Sequence, residues 1–230
     1  MLHKLKEIAG TPTLLFLHGF MGNHTDWQRV ASHLPCTCLA LDLPGHAGTP
    51  FTPDFASFLL QWINIPLHLI GYSMGGRLAL QFAARYPEKI ASLTLISSHL
   101  GLKTGHAERL AKDQALAKEI LSRSIDELLQ IWYDQPIFQS LQSKMDVRSM
   151  RREQNREHLS LALEAFSLGH QPDLSHIPVR LMAHLIVGEL DEKYRLHYAD
   201  LPHTIIPDAG HAAHLENPQA VAGAIYANFR

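Results

Sequence analysis

Three observations predict an α/β architecture, a mostly parallel sheet with helices on both faces. Short β-branched and leucine-rich runs alternate with longer amphipathic stretches, the pattern of strands buried on both sides. The chain has 230 residues, 46% of them hydrophobic, enough for one domain with a substantial core. The strand pattern lapses only once, from about His99 to Ser175, where Lys, Arg, Gln and Glu become common on a helical period. That stretch is expected to be a helical cap inserted over the sheet. The division is therefore residues 1–98 as the first part of the core, 99–175 as the cap and 176–230 as the second part, one domain in all.

The strands are expected over residues 13–17, 37–42, 67–71, 91–96, 183–187 and 204–206. Helices are expected over 27–34, 75–85 and 218–229. Asn217 stands as the N-cap of the last, with Pro218 at its first position. Pro172 and Pro178 bracket the return from cap to strand pattern. The segment before residue 13 leaves little room for an opening β-hairpin. No internal repeat or low-complexity tract interrupts the chain.

A formal net charge of −2 offers no basic field for nucleic acid. The apolar run at residues 14–17 is too short and too late for a signal-peptide core, and no stretch reaches the roughly twenty apolar residues of a membrane span. A cytoplasmic protein without nucleic-acid or membrane partners is expected, acting on small molecules as a monomer. Cys36 and Cys38 are too close to staple separate elements, and alternation puts both on one face of a strand as core residues. No metal and no cofactor is expected.

Residues 67–77, LHLIGYSMGGR, carry the chemistry: an apolar strand, then G-x-S-x-G, then a helix rich in Ala and Leu. In that order the motif reads as a nucleophile elbow, a sharp strand-to-helix turn that exposes the hydroxyl of Ser73 at the carboxyl edge of the sheet. Glycines two residues either side let strand and helix approach. An oxyanion hole needs two amides aimed at one point, and Met74, after the serine, with Phe20, in the loop leaving an earlier strand, are the candidates.

A serine needs a histidine within hydrogen-bond reach and a carboxylate to orient it. With an elbow, the chain order is serine, acid, histidine. Asp191 stands in the turn after an apolar strand and is the favoured acid, with Glu189 its competitor and Asp208 a weaker alternative. His211, in the loop before the terminal helix, is the base. His211 and His214 could ligate a metal if helical, but a third suitable carboxylate is lacking.

On these residues the chain resembles the α/β-hydrolase superfamily over nearly its whole length. Several segments together resemble one family within it: His18–Gly22 (HGFMG), Asp42–His46 (DLPGH), Gly71–Arg77 (GYSMGGR), Gly101-Leu102, Glu108-Arg109, Trp132–Phe138 (WYDQPIF) and Gln171–Leu174 (QPDL). They look like the 2-succinyl-6-hydroxy-2,4-cyclohexadiene-1-carboxylate synthases of menaquinone synthesis, with the last four segments discriminating. The resemblance implies an α/β-hydrolase fold and a 2,5-elimination that expels pyruvate from an enolpyruvyl cyclohexene carboxylate. Ser73, deprotonated by His211, would abstract a proton and no acyl-enzyme would form.

The implied substrate is a small polyanion, which guanidinium groups bind bidentately. Arg77, one turn beyond Ser73, and Arg109 are the implied carboxylate binders, with a third at Arg151 or Arg152, of which Arg152 is favoured. Trp132 would line the apolar side, and Tyr72 stands beside the nucleophile. The bare triad equally suits a carboxylesterase, a thioesterase or a carbon–carbon bond hydrolase, and a receptor could retain such a fold without catalysis.

Overall fold

The computed structural model describes residues 1–63 and 65–228. Seven strands form one sheet among the described residues: β1 (Leu2–Lys6), β2 (Thr13–Leu17), β3 (Thr37–Leu41), β4 (Leu67–Tyr72), β5 (Ile90–Ile96), β6 (His184–Gly188) and β7 (His203–Ile206), in the order β1-β3-β2-β4-β5-β6-β7. Every pairing is parallel except β1 with β3. The six expected strands are present within a residue or two of their predicted ends. β1 is the addition: a single antiparallel edge strand, half-buried except at exposed Lys4, fits in the space that has little room for a hairpin.

Strand burial explains the hydrophobic runs. Leu14, Leu15, Phe16 and Leu17 are all at most 1% exposed because helices cover both faces of the sheet, so alternation disappears in the centre. The covering helices are α1 (Gln28–Ser32), α2 (Phe55–Leu60), α3 (Met74–Arg85) and, near the end, α8 (Ile177–Arg180), α9 (Glu192–His197), α10 (Ala213–Glu216) and α11 (Pro218–Ala227). Asn217 caps α11 by accepting from the Ala220 amide at 3.3 Å. Phe229, the expected last residue of that helix, lies outside the described residues. The expected helix over 27–34 is shorter, since residues 24–27 wind as a tighter 3-10 turn capped by Asn23 before α1 begins.

Between β5 and β6 run α4 (His106–Ser122), α5 (Ile125–Tyr133), α6 (Gln139–Gln142) and α7 (Arg156–Ala165), and no strand interrupts them. Ser124 and Glu127 form a reciprocal capping box at the start of α5. This insertion leaves and rejoins the core at one place: Leu102 bridges Pro172, and the Leu174 amide donates to Leu100 O at 2.8 Å. Gly101 makes the junction possible. Its φ is +107°, and a Cβ there would stand 1.8 Å from Pro172 O. No helix among the described residues is long and apolar enough to cross a membrane.

Several buried histidines make the core sensitive to acid. Burial lowers His46 to about 4 and holds His18 and His214 well below the ordinary imidazole value. Below pH 6.5 the unfolded chain takes up a proton that the folded His46 refuses until about pH 4, so stability falls as pH falls across that window. By pH 5 His46 alone costs about 2 kcal/mol. A melting series is expected to show Tm dropping by at least about 4–8 °C from pH 7 to pH 5; a flat profile would contradict neutral, buried imidazoles.

Candidate active site

Ser73 joins β4 to α3 at φ 50° and ψ −110°, a strained conformation held by its surroundings. Its amide donates to Ile96 O at 3.0 Å and its carbonyl accepts from Ser98 Oγ at 3.1 Å, so neighbouring β5 fixes the turn on both sides. The glycines act by absence of bulk. A Cβ on Gly71 would meet Gly76 Cα at 2.5 Å, and one on Gly75 would meet the carbonyl oxygens of His18 and Leu17 at 2.3 and 2.6 Å. Gly75→Ala is therefore expected to push α3 off the end of β2, costing about 1–3 kcal/mol and most of the activity. Gly223→Ala, whose Cβ meets nothing within 4 Å in α11, is the control and should be neutral or slightly stabilising in the same melting and activity assays.

His211 Nε2 lies 3.2 Å from Ser73 Oγ, and His211 Nδ1 lies 2.9 Å from Asp191 Oδ2. Asp191 and His211 are each 4% exposed. The other Asp191 oxygen accepts from the Tyr194 amide at 3.4 Å and caps α9, so one carboxylate both starts a helix and orients the imidazole. Glu189 is turned to solvent and accepts from the Asp208 amide. Asp208 is exposed and paired with Lys144 at 2.9 Å. His214 is fully buried against Tyr72 and Trp27, with both ring nitrogens unpartnered, and forms no ligand pair with His211.

Gly19 lets the loop after β2 rest on the elbow: a Cβ there would lie 2.7 Å from the Tyr72 ring and 3.5 Å from Ser73 Cβ. Phe20 follows in that loop, and Met74 opens α3, where the first amides have no carbonyl partner within the helix. His18 fixes the loop. Leu43 N donates to its Nε2 at 3.0 Å, so Nδ1 carries the hydrogen and donates to Gly19 O at 2.7 Å. Sequence reading treats His18 as part of a strand exit and misses this role.

A narrow cavity of about 20 Å³ lies over Ser73, lined by Phe20, Tyr72, Trp132, Tyr133, Phe138 and Arg151 among others. Arg151 is 1% exposed, ion-paired to Asp26, and its Nε donates to the Tyr133 hydroxyl at 3.2 Å. Its Nη1 and the Trp132 Nε1 are buried donors without a partner among the described residues. Burial raises the Asp26 carboxyl above its ordinary value, with Arg151 opposing.

The expectation of Arg152 is corrected here. Arg152 is an exposed side chain paired with Asp126 at 3.2 Å, while the 3-10 turn Ser149–Arg151 directs Arg151 inward. The turn is held against the core by Asn23 Nδ2 donating to Met150 O at 3.3 Å and by Gln154 bonding Met21 O, Gly22 O and the Ala47 amide. Nothing in the sequence separates the two adjacent arginines; in the fold the buried Asp26 is the carboxylate that the inward one pairs.

Arg77 and Arg109 do not line this cavity. Arg77 is buried, donates to Phe166 O at 2.9 Å, and is lowered to about 10, first by burial, with Arg109 adding to it. Arg109 Nε is held by both Asp113 oxygens at 2.9 and 3.0 Å. The charges of both arginines act on Tyr194, whose ring lies 4.9 Å from that of His211.

The sequence profile of the alpha/beta hydrolase family matches residues 14–224. The chain belongs to the α/β-hydrolase family, as the sheet order, elbow and insertion also indicate. Within that class, it is 35% identical to the 2-succinyl-6-hydroxy-2,4-cyclohexadiene-1-carboxylate synthase of Salmonella newport (strain SL254), covering 94% of this chain and 93% of that one. The protein of that name from Salmonella typhimurium (strain LT2) has the same identity and coverage. The structure of MenH from S. aureus superposes with a TM-score of 0.88 at 26% identity, over 98% of this chain and 96% of that one. A thermophilic esterase from Thermogutta terrifontis shares the fold, with a TM-score of 0.79 at 21% identity. The particular family is thus that of the 2-succinyl-6-hydroxy-2,4-cyclohexadiene-1-carboxylate synthases, to which this chain belongs.

Proposed function

We propose that the chain eliminates pyruvate from 2-succinyl-5-enolpyruvyl-6-hydroxy-3-cyclohexene-1-carboxylate to give 2-succinyl-6-hydroxy-2,4-cyclohexadiene-1-carboxylate, with Ser73 as the base. The observation that carries this reading is a buried guanidinium, Arg151, in the same small cavity as a histidine-bonded serine. A hydrolase for neutral esters gains nothing from a cation there, whereas a polyanion does.

In this reading His211 takes the Ser73 hydroxyl proton and Asp191 stabilises the imidazolium. Ser73 then removes a ring proton. The C–H electrons become part of the conjugated diene, the carbon–oxygen bond to the enolpyruvyl group breaks, and the departing enolate takes the proton held by the His211 imidazolium to leave as pyruvate. The Phe20 and Met74 amides would stabilise developing negative charge. Trp132 and Tyr72 form the apolar wall, and Arg151 Nη1 and Trp132 Nε1 offer hydrogen bonds. Arg77 and Arg109 would meet a further carboxylate beyond Tyr194. A cytoplasmic location belongs to the same reading, supported by Cys36 and Cys38 being buried free thiols.

The test is release of pyruvate from the enolpyruvyl precursor, followed by a coupled assay. No acceleration over the spontaneous reaction would defeat the proposal. Arg77→Ala separates the elimination from esterase chemistry: KM for the precursor should rise about tenfold or more while hydrolysis of a neutral activated ester changes little. Equal losses on both would count against Arg77 as a carboxylate binder.

A further inference from the structure

We propose that His3, His24 and Asp42 form a binding site for a divalent transition cation of the zinc type. No motif spacing unites them, because they come from three elements: β1, the 3-10 turn after β2, and the residue following β3. The fold brings one ligand atom from each to within 4.8 Å of the others. His3 Nε2 is 2.6 Å from Asp42 Oδ2, and His24 Nδ1 is 3.0 Å from Asp42 Oδ1. None of the three lines the cavity over Ser73.

The arrangement has what such a site requires. The two imidazoles stack in parallel, with centroids 3.5 Å apart and planes 8° apart, and both ring edges face one carboxylate; an ion held in the plane of each ring requires one ring to turn out of the stack. Asp42 is 1% exposed and has no Lys or Arg side-chain partner among the described residues. The Met1 amine, at 3.2 Å, bonds its backbone oxygen. Beside this buried carboxylate the one full cation among the described residues is the Met1 ammonium, which bonds the backbone oxygen and leaves both side-chain oxygens to the two imidazoles and the His24 amide. The His24 amide donates to Asp42 Oδ1 at 2.7 Å and fixes the carboxylate's orientation, as outer contacts do in metal sites. Both histidines are about a quarter exposed, on a 350 Å³ cleft that also exposes Lys6 and Gln28, which provides an entry path and a water for a fourth position. Two imidazoles, one carboxylate and water suit Zn²⁺ and its neighbours. Tetrahedral bonds of about 2.0–2.1 Å set ligand atoms about 3.3 Å apart, so the 2.6 Å His3–Asp42 and 3.0 Å His24–Asp42 contacts would open on binding. On binding, each ring presents a lone pair to the metal and carries its hydrogen on the other nitrogen.

The site would tie the edge strand β1 to the body of the sheet. Tag-free full-length protein, stripped with EDTA and titrated with Zn²⁺ by calorimetry, is expected to bind one equivalent that His3→Gln, His24→Gln and Asp42→Asn each remove. Zn²⁺ at a hundredfold excess over Kd should raise Tm by about 5–10 °C in the parent and not in the variants. Co²⁺ should give visible d–d absorption in the parent that His3→Gln abolishes. His3 is a quarter-exposed edge-strand residue, so its variant stays informative if Asp42→Asn fails to fold. Absence of a bound equivalent in the parent, or unchanged stoichiometry and affinity in His3→Gln and His24→Gln, overturns the proposal.

Discussion

Ser73→Ala is expected to lower kcat for pyruvate release by about 10²–10⁴-fold while leaving Tm within a degree or two of the parent. The rate effect follows from position. Ser73 Oγ sits 3.2 Å from His211 Nε2 and opens on the cavity, so its loss leaves no group there to take the ring proton. The small stability effect follows from how the turn is held: its fixing bonds run through the Ser73 backbone amide and carbonyl, which alanine retains. His211→Ala should cost a similar factor, and the double variant little more than either alone, because the two act as a unit. Additive losses in single-turnover kinetics would show that Ser73 and His211 act separately.

Arg151→Ala carries the second large effect, and it should appear in two quantities at once. Removing one partner of a buried ion pair leaves Asp26 charged and uncompensated, at a cost of about 3–5 kcal/mol, read as a lowered urea midpoint. Loss of the Nη1 donor should also reduce kcat/KM for the anionic precursor by about tenfold to a hundredfold. The roles can be parted. In the double variant Asp26→Leu/Arg151→Met both charges are gone and the volume is kept, so much of the stability should return. The catalytic loss should remain. Recovery of both together would reduce Arg151 to a structural residue.

Strands buried on both faces announce themselves as unbroken apolar runs, and this made β2, β4, β6 and the end of β5 readable, while the edge strand β7 was readable from its β-branched residues alone. β1 carries no such run. Leu2, His3, Lys4, Leu5 and Lys6 show no apolar run because an edge strand needs only one covered side. Likewise α9 is a single short helix whose start depends on Asp191 accepting from Tyr194, a tertiary detail without periodicity. Ser73, Asp191 and His211 could be placed because each stands in a loop at the end of an apolar strand, where chain order limits the choices. Arg151 and Arg152 are adjacent in sequence, and only the turn through 149–151 decides which enters. Arg77 and Arg109 illustrate the same limit: helical spacing gives a residue's turn, while the direction of a long side chain depends on acceptors such as Phe166 O and Asp113.

A space of about 20 Å³ holds roughly one water molecule, whereas a ring bearing succinyl and enolpyruvyl arms needs a pocket of at least about 300 Å³. Binding a ring of that size therefore requires the side chains over Ser73, Trp132 and Phe138 among them, to stand further apart than in this arrangement, with Arg151 still paired to Asp26. Measured affinity is then intrinsic affinity divided by the rarity of that open form. A substitution that loosens the Asn23–Met150 or Gln154 contacts, far from any reacting atom, would tighten apparent binding and at the same time admit solvent to the diene being made. Selection at those peripheral positions thus sets a compromise between capture and containment.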